Sequence, residues 1–111
     1  AQEVLDVLAQ RGAEAFTLWT RDCVKDVQNL ALDHEGVGGL ITQAVTDGRF
    51  LNAQCCQQKP GGPWAACAAY TFARSEWIEA AFKSMDIRYY VKFALNKNGR
   101  LLLLVSCHTS S

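Results

Sequence analysis

Residues 63–85 read "PWAACAAYTFARSEWIEAAFKSM", and two periodicities compete in them. With seven alanines, no internal glycine or proline, and Pro63 suited to a first helical turn, the stretch has the propensity of one helix. Trp64, Cys67, Ala68, Phe72, Ile78 and Phe82 would then share roughly one face. Yet Trp64, Ala66, Ala68, Tyr70 and Phe72 also alternate as a half-buried strand would, leaving Ser75 to cap a shorter helix through Met85. The spacing predicts helix from Ser75 onward and leaves 64–73 open.

Outward from this stretch the signals are clearer. Arg49 to Gln57 reads as a strand. From Ile87 to Leu95 every odd residue is apolar, while Arg88, Lys92 and Asn96 hold even positions, which is the period of a strand with one buried face. Asn96-Lys97-Asn98-Gly99 supplies turn chemistry, and Arg100 to His108 reads as the returning strand. A two-residue Asn-Gly turn would set Leu101, Leu103, Val105 and Cys107 on the Arg88/Lys92 face. A three-residue loop with Gly99 left-handed sets them beside Ile87, Tyr89, Val91 and Phe93 and is the expectation. Leu102 and Leu104 then fall on the opposite face, which a helix, a partner chain or a ligand must cover.

At the other end, Phe16, Trp19, Cys23, Val27 and Leu30 are spaced three and four apart, and predict a helix from about Ala13 to Leu32, ended near Gly36. A shorter helical segment with Val4, Leu5 and Leu8 precedes it. Leu40, Ile41, Ala44 and Val45 add two turns before Asp47-Gly48. The expected class is α+β: N-terminal helices and a later helix on one face of a small antiparallel sheet that ends in a C-terminal β-hairpin, all in one domain over residues 1–111.

Composition bounds the function. Eleven Lys/Arg balance eleven Asp/Glu without a basic cluster, so the footprint of a nucleic-acid binder is missing. The longest apolar run, Leu101 to Val105, is far below the roughly 20 residues of a spanning helix. Five cysteines in 111 residues point to an oxidising compartment, and a chain starting Ala-Gln resembles one trimmed of a signal peptide, so a secreted or periplasmic location is expected.

The cysteines lack metal spacing: Cys55 and Cys56 are adjacent, Cys67 follows, and His34 and His108 stand alone. Neither a metal nor another cofactor is expected. Folding about Gly61-Gly62 sets Cys56 opposite Cys67, the first expected disulfide. Cys23 to Cys107, tying a helix to the last strand, is the second, and Cys55 is left as the free thiol. No histidine is placed beside a cysteine, so no catalytic group is assigned. Asp33-His34-Glu35 reads as a capping loop, Gly36-Val37-Gly38-Gly39 as a loop lacking phosphate-loop spacing, and Glu76/Glu79 as a solvated helix face.

Binding is what these exclusions leave. Trp64, at a stiff Pro-Gly-Gly-Pro corner, and the far-face Leu102 and Leu104 are the candidate binding surface. The leading expectation is an exported protein that binds another protein, of immunity-factor or enzyme-inhibitor type. A secreted toxin or effector acting on other cells, at their membrane included, comes second, and a small enzyme third. A homodimer through the C-terminal hairpin face or the unpaired cysteine fits the same features.

Overall fold

In the computed structural model, residues 64–85 are not helical; they belong to a long hairpin. The structure describes residues 2–96 and 98–109, with Ala13 as backbone only, so Lys97 of the expected turn lies outside the described residues. Among these residues three α-helices, α1 (Gln2–Arg11), α2 (Arg21–Asn29) and α3 (His34–Asp47), accompany five strands, β1 (Phe16–Leu18), β2 (Arg49–Gln57), β3 (Trp64–Ile78), β4 (Lys83–Leu95) and β5 (Leu102–Thr109). The sheet order is β1-β5-β4-β3-β2. Neighbours are antiparallel except for β1, which runs parallel to β5. The α+β class holds, with a mixed sheet.

The helix expected from Ser75 to Met85 is thus corrected to strand. Alanine's helical preference amounts to a few tenths of a kcal/mol per residue, whereas β3 gains ladder partners along its length. Pairing with β4 runs from Ala68↔Phe93 to Ile78↔Lys83, and Phe82 N donates to Glu79 O (3.1 Å) across the tip. Ala69 lies between Asn52 and Lys92 and is fully buried, a place where a larger side chain would not fit as closely. Farther along, the Tyr89 hydroxyl donates to Glu76 Oε2 (2.6 Å), Arg74 Nε donates to Glu76 Oε1 (3.0 Å), and the Arg74 guanidinium lies 5.0 Å over the Tyr89 ring. Glu76 is therefore a strand residue in a polar cluster rather than part of a helical carboxylate face.

The single helix expected over 13–32 is also divided. Phe16 to Leu18 pair with Leu102 to Leu104, and Thr20, extended at φ −114° and ψ 157°, caps α2 by accepting from Cys23 N (3.1 Å). The same hydroxyl donates to Val105 O (2.8 Å), tying the helix start to β5. The three-and-four spacing holds within α2 for Cys23 and Val27, but Phe16 meets the core from a strand. Thr20→Ala should therefore cost about 1–2 kcal/mol, seen as a lower Tm in thermal unfolding; an unchanged Tm would show that neither bond matters. Asp33 caps α3 rather than ending an earlier helix, its carboxylate accepting from Gly36 N (2.8 Å). Gly36 to Gly39, expected as a loop, are helical, and Gly38 lies close under the Phe16 ring.

All three helices cover one face of the sheet. Val4 and Val7 of α1, Cys23 and Val27 of α2, and Val37, Leu40, Ile41 and Ala44 of α3 meet Phe72, Tyr89, Val91, Phe93, Leu102, Leu104 and Cys107 in the main core. This overturns the three-residue loop register. Asn96 N donates to Leu101 O (2.9 Å), the Asn96 side-chain oxygen accepts from Arg100 N and Leu101 N, and Gly99 is left-handed at φ +67°. Leu95 then faces Leu102 and Phe93 faces Leu104, so Leu102 and Leu104 are fully buried beneath the helices. A bulge follows: the register shifts between Lys92 and Phe93, Val91 faces Cys107, and Cys107 returns to the core as expected.

Candidate functional site

The opposite, helix-free face holds a second, smaller core. Cys67, Ala94 and Val105 are buried there, with Trp19, Cys56, Ala65 and Leu103 packed against them. The sheet curls far enough to bring its two edges together: Gln58 Nε2, just past β2, donates to Trp19 O (2.9 Å), just past β1. Between these edges lies a cleft of about 860 Å³, walled by Trp19 to Asp22 at the start of α2, by Val105 and Ser106 at the bulge, and by Cys56 to Pro60.

Cys56 lines that cleft and anchors a polar cluster. Gln54, Cys56, Cys67, Tyr90 and Lys92 all project from this face, as the pairings Gln54↔Cys67, Cys56↔Ala65 and Ala69↔Lys92 require. Lys92 Nζ donates to Gln54 Oε1 (2.7 Å) and approaches Cys56 Sγ (3.7 Å), and it lies 5.9 Å over the Tyr90 ring, which is itself stacked on His108 (5.0 Å). Burial alone would lower the affinity of Lys92 for its proton, but Tyr90 and Cys56 favour the ammonium and the net shift is upward. The Cys67 thiol is pushed up to about 12, by burial first and then by the neighbouring Cys56, and its S–H donates to Ala65 O (3.7 Å). Cys67 is thus held as a neutral S–H beside the Cys56 sulfur.

All five cysteines are free thiols. The structure brings Cys56 and Cys67 together, and it brings Cys23 and Cys107 within one core, while Cys55 is exposed on the other face of β2. Cys56 and Cys67 are diagonal rather than opposed, because the corner is centred between Pro60 and Gly61, one residue earlier than folding about Gly61-Gly62 implied: Gln57 faces Trp64 and Gln58 N donates to Pro63 O (2.9 Å). Burial pushes the Cys23 thiol up to about 12 and the Cys107 thiol up to about 11, with Asp26 adding to both and Cys107 to the first. Both are fully buried in the main core.

Of the expected binding surface, Trp64 is exposed (65 %), whereas Leu102 and Leu104 are withdrawn from it, since the helices occupy the face that was offered to a partner. The site residues missed in the sequence are Lys92, Gln54 and Trp19. Only the alternation that sets Lys92 on the polar side of β4 pointed toward them.

A second exposed feature stands at the far end of the hairpin. Among the described residues β2 pairs with β3 no farther than Thr71 and β5 pairs with β4 no farther than Tyr89, so residues 73–88 form a two-stranded arm. At its tip Trp77 (53 %), Phe82 (75 %) and Met85 (40 %) are exposed, with the Trp77 and Phe82 rings edge to face at 5.3 Å. No helix among the described residues is long and apolar enough to cross a membrane, and no group of three or more of them is arranged to hold a metal ion. No family model, no curated protein and no solved structure matches this chain.

Proposed function

We propose that this protein acts by binding another protein, with the tip of the β3–β4 arm as its anchor. One observation carries the reading: two large aromatics, Trp77 and Phe82, stand together in water at the end of a projecting hairpin, while the exposed Met85 shares the opposite face with the Arg74–Glu76–Tyr89 cluster that supports them from behind. An isolated two-stranded ribbon is marginal in water, so an arm that leaves its apolar tip bare gains most when a partner covers it. Aromatic residues ringed by polar ones, here Glu79, Lys83 and Asp86, are the usual composition of an interface anchor. Trp64 lies at the other end of the same strand, about 40 Å away at a strand's rise per residue, so it belongs to a different surface. The reading takes the chain to be secreted or periplasmic, as its cysteine content suggests, and fits an immunity factor or an enzyme inhibitor.

The test is a photo-reactive phenylalanine analogue placed at position 82 in the producing cells. One discrete adduct is expected, and Trp77→Ala should weaken it by about thirtyfold, a hot-spot loss of about 2 kcal/mol, while Tm changes little. Absence of an adduct, or an adduct indifferent to Trp77→Ala, overturns the proposal. Flotation of the purified protein with phosphatidylcholine/phosphatidylglycerol vesicles, abolished by Trp77→Ala, would replace it with the membrane-directed toxin reading.

A further inference from the structure

We infer that Cys56 is a nucleophilic thiol, a modification site that exchanges with low-molecular-weight disulfides entering the cleft between Trp19 and the end of β2. Three features of its surroundings converge. Cys56 lines a cleft of about 860 Å³, large enough for a small peptide-like disulfide. Lys92 Nζ lies 3.7 Å from its sulfur and donates to it, so an ammonium faces the atom that carries charge during the exchange. Lys92 is positioned in turn by Gln54, whose Oε1 accepts from Nζ (2.7 Å) and directs the ammonium toward the site. Exchange with a disulfide spreads a negative charge over three sulfurs, and an ammonium fixed beside the attacking one stabilises that charge. Arg21 and Lys59, with Asp22, line the same cleft, and their charge balance suits a disulfide that carries carboxylates.

The exchange is balanced as follows. Cys56 S⁻ attacks one sulfur of the small disulfide, a new sulfur–sulfur bond forms, the old one breaks, and the departing thiolate takes a proton from water. If Cys67 then loses its proton to solvent and attacks the Cys56 sulfur, the second small thiol leaves and a Cys56–Cys67 disulfide remains. The protein loses two electrons in total and the small disulfide gains them. The diagonal placement of the pair and the high proton affinity of Cys67 make this second step the slower one. Cys55, although more exposed, lies on the other face of β2 without the Lys92 contact, and should react as an ordinary surface thiol.

The experiment uses the whole reduced chain with oxidised glutathione as the probe, acid quenching and peptide mapping. Modification of Cys56, as the mixed disulfide or as its Cys67-resolved product, should run about tenfold ahead of modification of Cys55, the scale of one close charge interaction near a protein surface. In Lys92→Gln that lead should vanish, and in Lys92→Arg, which keeps the charge, it should largely return. The inference is overturned if Cys55 reacts as fast as Cys56 in the wild-type chain, or if the lead survives in Lys92→Gln. Neither outcome touches the arm, so this inference and the proposed binding role stand or fall separately.

Discussion

Leu104→Lys is expected to leave the chain unfolded at room temperature. Leu104 has no exposed surface; it faces Phe93 on one side and Leu18 on the other, beneath the helices, and its carbonyl accepts from Trp19 N (2.9 Å). A lysine there loses the buried leucine's packing and must either hold an ammonium in an apolar core or bind no proton at neutral pH. The combined loss is about 5 kcal/mol or more, comparable with the whole stability of a domain of this size. Leu103→Lys is the matched control. Leu103 points to the helix-free face, partly open beside Ala94, and should lose about 1 kcal/mol while keeping a folded circular-dichroism spectrum. A folded Leu104→Lys with an unfolded Leu103→Lys would mean that the β4–β5 register is one residue away from Phe93↔Leu104.

That register shows how far the sequence could be read. The alternation from Ile87 to Leu95 identified β4 and its buried face, because each residue's side is set by the one before it. The same logic failed for β5, since nothing in Leu101-Leu102-Leu103-Leu104-Val105 distinguishes one face from the other. Five apolar residues in a row fit either parity, and the bulge beside Val105 then changes parity part-way. Hence Cys107 came to the expected face although Leu102 and Leu104 did not.

β3 was obscured for another reason. Its alanines favour helix locally, and what overrides them is pairing with β2 and β4, a non-local gain that a window of residues does not contain. Three-residue β1 was hidden inside a helical spacing by the same kind of long-range pairing, here with β5. The Cys56–Lys92 contact spans 36 residues and depends on the corner closing between Gln58 and Pro63, so its parts were visible while their meeting was not. Cys56 does lie near Cys67, and Cys23 shares a core with Cys107, but all four are free thiols and neither expected disulfide is formed.

Gly48→Ala should be the most damaging single-methyl addition among the glycines at turns and helix ends. At φ −82° and ψ 174° Gly48 is in ordinary extended backbone, so conformational freedom is not what the position requires. Space is. A Cβ there would clash with Ala44 O and fall 3.0 Å from Thr71 O, both backbone atoms that cannot swing aside. Gly48 N already donates to Ala44 O (3.1 Å), and Arg49 begins pairing with Thr71 at the next residue, so α3 and β3 converge on this one α-carbon. Making room means moving the end of α3 off the sheet, and α3 carries Leu40, Ile41 and Ala44, all fully buried. The cost should be about 3 kcal/mol, the upper part of the range for overpacking. Gly99→Ala gives the contrast: its φ of +67° strains an alanine, but nothing lies within 4 Å of the added carbon, and the loss should be about 1 kcal/mol. Urea unfolding of the two variants measures the difference, with the Gly48→Ala midpoint well below that of Gly99→Ala at an unchanged m-value. Equal midpoints, or the reverse order, would show that the junction of α3 with β2 can open without loss, and that these two elements are not held as closely as the Ala44–Gly48–Thr71 distances require.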